Sequence, residues 1–143
     1  MRMTDVSVEL AEDNTQIGFL STDQRFYLRE ENDWWAVDVV NDRGRRYDGI
    51  AEFSTFALAE KFLIWRWGST MRDVLGMKMF DPELYALGPN ADVVVVPTDK
   101  EWFFELQSSE GQAHLAEPDA TIFSHLMTKS VDEIEQLVRE GIA

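Results

Sequence analysis

Across residues 25–53 the apolar side chains fall into three short runs, set apart by the polar clusters Glu31-Asn32-Asp33 and Asn41-Asp42-Arg43-Gly44. Runs this short, closed by residues that tolerate left-handed or tightly turned backbone, fit hairpins and leave no room for a helix. The pattern predicts an antiparallel meander of strands at residues 17–20, 25–30, 34–40 and 47–53, with a turn at Ser21-Thr22-Asp23. Alternation places Trp35, Val37 and Val39 on one face and Trp34, Ala36 and Asp38 on the other, with one face buried.

The period then changes. Ser54 or Thr55 is placed to cap a helix that runs to about Leu75, with Glu60 in its opening turns. Phe56, Ala59, Leu63, Trp67, Thr70 and Val74 recur at helical spacing and are expected to face the core. Leu58, Ile64, Trp65 and Met71 lie off that stripe, so a second layer should cover the helix. Gly68 and Gly76 mark a weakening or an end of it.

Beyond Gly76 the punctuation at Asp81-Pro82 and Gly88-Pro89-Asn90 predicts a crossing loop with a short helical turn at residues 82–86. Residues 93–96 read as a strand stopped at Pro97. Residues 101–107 and 112–116 read as a hairpin around Ser108-Ser109-Glu110-Gly111, forming a second sheet portion. Residues 121–127 are read as a strand, although periodicity alone does not separate strand from helix in so short a run. Ser130-Val131-Asp132-Glu133 has the form of a capping box, and Val131, Ile134, Leu137 and Val138 give a short amphipathic helix ending near Gly141. The expected class is α+β: an antiparallel β-sheet of meander and hairpins packed on one long central helix, with a short C-terminal helix.

With 143 residues, of which 45% are apolar, the chain can bury a core without metal or disulfide, and residues 1–143 are read as one domain. There is no cysteine, which removes thiolate chemistry. Asp5, Glu9, Glu12 and Asp13 interrupt the pattern of a secretory leader, so a cytoplasmic location is expected. The apolar stretches at residues 62–65 and 93–96 are far short of the roughly 20 residues that cross a bilayer, so no membrane association is expected. The formal charge of −14 repels phosphate backbones, disfavours nucleic acid, and steers basic partners toward the surface. Solubility alone explains such a charge equally well.

No phosphate-binding glycine fingerprint and no Gly-x-Ser-x-Gly elbow is present. His114 and His125 are the only imidazoles. Ser124 and His125, as neighbours in a strand, would point to opposite faces, so both histidines are read as structural or surface groups. His114, Glu117, Asp119 and His125 match no compact ligand spacing, and no metal or cofactor is expected. Arg43, Arg45 and Arg46 form a basic cluster beside a turn, where a solvent-facing role is the plainer account. Trp34 or Trp35 supplies a candidate interface anchor, since alternation sends one of them to the core. Trp65 is the other aromatic candidate, with coverage by the second sheet portion as the competing explanation.

The segments Phe26-Tyr27-Leu28-Arg29, Asn32-Asp33-Trp34-Trp35, Asn41-Asp42-Arg43-Gly44, Phe53-Ser54-Thr55 and Ala59-Glu60-Lys61-Phe62-Leu63 resemble a group of bacterial immunity proteins, the family that includes the immunity factor of the tuberculosis necrotizing toxin. Phe123-Ser124-His125 leading into Val131-Asp132-Glu133-Ile134 adds to the likeness. The resemblance implies a non-enzymatic antitoxin that binds the catalytic domain of a secreted, NAD-hydrolysing toxin and blocks its active site. The competing expectation is a protein-interaction or regulatory module without a toxin partner. The contact set expected from chemistry and exposure is Glu31, Asp33, Trp34 and Arg43 on the hairpin turns, plus Trp65.

Overall fold

The computed structural model describes residues 7–10, 16–20, 25–41 and 43–140. Its elements run β1 Ser7–Leu10, β2 Gln16–Leu20, β3 Arg25–Glu31, β4 Trp34–Val40, β5 Arg46–Phe53, α1 Phe56–Val74, α2 Asp81–Ala86, β6 Val94–Pro97, β7 Phe103–Ser108, β8 Gly111–Ala116, α3 Asp119–Leu126 and α4 Val131–Glu140. The strands form one antiparallel sheet in the order β1-β2-β3-β4-β5-β8-β7-β6. The expected second sheet portion is thus continuous with the meander, joined where Ala51, Glu52 and Phe53 pair with Leu115, His114 and Ala113. The α+β class and the long central helix hold as read. The turn expected at residues 21–23 and the helix end expected near Gly141 lie outside the described residues.

Local chemistry accounts for the boundaries. Asn32 and Asp33 take φ of 52° and 65°, the two left-handed residues of a tight hairpin turn. Thr55 caps α1 by accepting the Leu58 N–H at 3.2 Å. At α4 the capping box is complete: the Glu133 N–H donates to Ser130 Oγ at 3.1 Å, and Glu133 Oε1 accepts the Ser130 N–H at 2.9 Å.

Two expectations are corrected. Residues 121–127 belong to helix α3, not to a strand. Nearly every residue of α3 is buried, including Thr121 and Ser124, so no amphipathic pattern separates it from a buried strand. The buried residues of α1 also differ from the expected stripe. Ala59 and Leu63 are enclosed, but Phe56 is exposed, while Leu58, Phe62, Trp65 and Met71 are buried. The reason is that α1 is covered from two directions. Phe62 meets Phe53 of β5 and Phe123 of α3, and α4 packs on the other side.

Gly68 permits that second contact. A Cβ there would lie 2.9 Å from Val138 Cβ of α4 and closer still to its methyl groups. Gly68→Ala should therefore lose more by overpacking, about 1–3 kcal/mol, than the up to about 1 kcal/mol that alanine returns as a helix former. Urea unfolding should show a lower midpoint at unchanged slope.

Candidate functional site

Strand pairing sorts the side chains of the sheet into two faces. One face carries the row Leu28, Val37, Ala51, Leu115 and Phe104, which joins the core with α1 and α3. The adjoining row, Arg29, Ala36, Glu52, His114, Glu105 and Val96, crosses six strands on the opposite face. Phe53 touches both α1 and α3 from the core side, and α4 and α2 pack on those two helices. Among the described residues no helix covers the opposite face.

Two clusters occupy this open face. In the first, Trp34 stacks on His114 with ring centroids 4.7 Å apart. His114 Nε2 lies 2.7 Å from Glu105 Oε1, and its Nδ1 lies 3.9 Å from Glu52. The carboxyl of Glu105 is held below the usual range by its hydrogen bond with His114 and then by that from Gln107. The arrangement orders an indole with carboxylates beside it, which suits contact with a basic, partly apolar surface.

The second cluster is centred on Asp38, whose side chain is fully buried although it lies on the open face. Arg29 donates to it at 2.8 Å and 3.3 Å, Arg46 at 2.7 Å, and the Gly49 N–H at 2.7 Å. Between Val37↔Ala51 and Val39↔Tyr47 the register of β4 and β5 shifts, and Gly49 at φ 61° occupies this bulge. Asp38 therefore pins the bulge while it gathers two guanidiniums. Arg46 also bonds Asp48 and lies over Tyr27, and Arg29 also pairs with Glu31.

Of the expected contacts, Glu31, Asp33 and Trp34 come together at the β3–β4 turn, with Glu31 and Asp33 exposed. Trp35 turns to the core side against Phe56, as alternation requires. Arg43 is exposed at the β4–β5 turn, where its N–H donates to Asn41 Oδ1. That turn lies at the other end of β4, about 20 Å from Asp33 for a seven-residue strand. The arginine cluster is dispersed: Arg46 joins Asp38, and Arg45 lies over Tyr47. Trp65 is a correction, since it is fully buried against Phe62 and Phe123 and offers nothing to a partner. It is α3, not the second sheet portion, that stacks on it.

Sequence reasoning missed Asp38, Arg29, Glu52, Glu105 and His114 as neighbours. Asp38 carried one signal, as a carboxylate inside an otherwise apolar strand. Ser124 and His125 sit on α3: Ser124 Oγ donates to Thr121 O at 2.6 Å, and His125 Nε2 lies 2.6 Å from Gly88 O. His114, Glu117, Asp119 and His125 do not converge, and no group of three potential ligands gathers among the described residues. A cleft of about 650 Å³ lies beside α1, α2 and α3, lined by Arg66, Asp81, Tyr85, Glu117 and Asp119 but not by His125. Its carboxylates are engaged by Ser69, Thr121 and Arg66. No helix among the described residues is long and apolar enough to cross a membrane.

The model of the family described as Immunity protein 61 matches residues 4–140. The chain belongs to that family. Its family role is bacterial immunity, in agreement with the sequence resemblance. Among solved structures, Rv3902c from M. tuberculosis superposes with a TM-score of 0.76 at 15% identity, covering 98% of this chain and 84% of that one. At that identity the likeness shows a shared fold. No curated protein matches the chain.

Asp38 yields a prediction within this Immunity protein 61 fold. Burial pushes its carboxyl up, but the bonds from Arg29, the Gly49 N–H and Arg46 outweigh burial and hold it below the ordinary range. A depressed folded value adds stability above the unfolded aspartate value, about 3.9, and that stability is lost as pH falls through the folded value. Asp38→Ala should cost about 3 kcal/mol at neutral pH, the low end for breaking a buried pair because both guanidiniums keep contact with water. Asp38→Asn should flatten the loss of stability below about pH 4, as read by urea unfolding across pH.

Proposed function

We propose that this Immunity protein 61 member binds the catalytic domain of a cognate secreted toxin, an NAD-hydrolysing one, and inhibits it by covering its active site. Family membership supports an immunity role and a toxin partner. The observation that carries the surface assignment is the uncovered sheet face, with Trp34 ordered on His114 and with Glu31 and Asp33 exposed beside it. The NAD-hydrolysing target rests on the sequence resemblance to the family of the necrotizing-toxin immunity factor.

The mechanism is occupancy. A cleft that binds a dinucleotide presents positive potential, and a chain of net charge −14 is drawn to it. On arrival, carboxylates at the β3–β4 turn meet the groups that hold the pyrophosphate, while Trp34 supplies apolar area. Arg43 marks the far limit of the footprint, at the other end of β4. No catalytic group of this chain takes part, and the protein acts in the cytoplasm of the toxin-producing cell.

The first test is co-purification with the product of the adjacent gene, followed by NAD hydrolysis with and without this chain. Stoichiometric binding with loss of hydrolysis is expected, and binding without inhibition removes the active-site reading. Glu31→Lys with Asp33→Lys should slow association by about tenfold at low salt and reduce its salt dependence. An unchanged association rate in stopped-flow takes the β3–β4 turn out of the interface.

A further inference from the structure

Trp102 combines two unfavourable features in one residue. The residue is 72% exposed, the most exposed large apolar group among the described residues. Its backbone has φ of 67°, a region where a bulky side chain is strained. The turn that holds it is firmly bonded. The Thr98 N–H and the Thr98 hydroxyl donate to Phe103 O at 3.2 Å and 2.8 Å, and the Phe103 N–H donates to Lys100 O at 3.1 Å. The Glu117 N–H bonds Trp102 O itself at 3.2 Å. The indole is therefore held out toward solvent by a preorganised backbone.

The turn that carries it joins edge strand β6 to β7, and in β6 Val94, Val95 and Val96 are all exposed. Val94 and Val96 share the open face with Glu105 and His114, so the patch continues that face toward its edge. Asp99, Glu101 and Glu117 are exposed around the turn, while the Lys100 ammonium lies 4.7 Å from the Phe103 ring. The patch is thus apolar with an acidic rim.

A second copy of the chain is a poor occupant. It would bring two acidic rims together on chains of charge −14. Pairing of one β6 with another is also blunted, since Pro97 has no N–H and the Val93 N–H is spent on Asn90 O at 3.0 Å.

Resting on the immunity reading above, we propose that Trp102, with Val96 at the same end of the β6–β7 hairpin, is an anchor that enters an apolar recess rimmed by Lys and Arg on the toxin's catalytic domain. Exposed aromatics on rigid backbone lose little entropy on binding and dominate interfaces of this kind.

The test measures binding of the product of the adjacent gene to wild type, Trp102→Gly, Trp102→Phe and Tyr85→Ala by calorimetry, with thermal unfolding of each variant. Glycine is at ease at positive φ, so Trp102→Gly should melt at or above wild type while its affinity falls at least tenfold. Trp102→Phe should fall less, and Tyr85→Ala, an exposed aromatic elsewhere, should bind as wild type. Equal affinity of wild type and Trp102→Gly overturns the anchor and leaves the immunity reading standing. A lower melting temperature for Trp102→Gly with unchanged affinity assigns Trp102 to stability and overturns it also. If wild type neither binds nor inhibits, the immunity reading fails and takes the anchor with it. A wild-type dimer at micromolar concentration that Trp102→Gly dissolves, seen by sedimentation, overturns the choice of partner.

Discussion

The sheet, α1 and α3 meet through three rings. Phe53 of β5 lies 5.2 Å from Phe62 and 5.4 Å from Phe123, and the latter two are 6.0 Å apart. Tilted and edge-on contacts of this kind add about 0.5–1.5 kcal/mol per pair beyond the area they bury. Their larger effect is geometric. Because both helices must reach one residue on one face of β5, they stand on the same side of the sheet, and no helix among the described residues covers the other side. Trp65 completes the cluster from α1, which is why an aromatic that looks like a docking group is spent inside. The open face is a consequence of where the core closes.

A bare sheet face has to be kept in order without a layer above it. Here polar contacts take that part. Asp38 is held by two arginines and a backbone N–H, and Trp34 lies flat on an imidazole that a glutamate holds. Such contacts fix rotamers that would otherwise be frozen only on binding, so less side-chain entropy remains to be lost to a partner. On the helical side, Arg72 is buried and donates to Lys78 O at 2.8 Å and Val138 O at 2.9 Å, tying α1 to the last turn of α4.

The strands and helices that were legible in the sequence are those whose ends have a local chemical cause. Asn32-Asp33, the Thr55 cap and the Ser130–Glu133 box each act within a few residues, and each sits where the chain predicts it. Residues 121–127 had no such advantage. Six of the eight residues of their helix are buried, and Pro118, which marks the helix start, stands outside the run itself. The site divides in the same way. Glu31, Asp33 and Trp34 were legible because one hairpin gathers them. Glu52, Glu105 and His114 were not, since only the pairing of β5 with β8 brings them under Trp34, and nothing local announces a contact between strands so far apart in the chain. The depth of Asp38 and the dispersal of the arginines follow from the β4–β5 bulge, which brings Arg46 and the Gly49 N–H onto its carboxylate.

The join between β5 and β8 is only three residue pairs long, extended by Ser54, which exchanges backbone and hydroxyl hydrogen bonds with Gln112 across a sequence separation of 58. The meander on one side and the β6–β8 unit on the other are built from neighbours in sequence, whereas this seam closes a loop that contains α1. The seam therefore bears a loop-closure entropy that the local hairpins do not. Until it forms, Trp34 has no imidazole beneath it, and the two halves of the open face are separate surfaces. Competence to bind is therefore tied to completion of the whole fold: a chain that has assembled only its hairpins already carries every residue of the site and has no site.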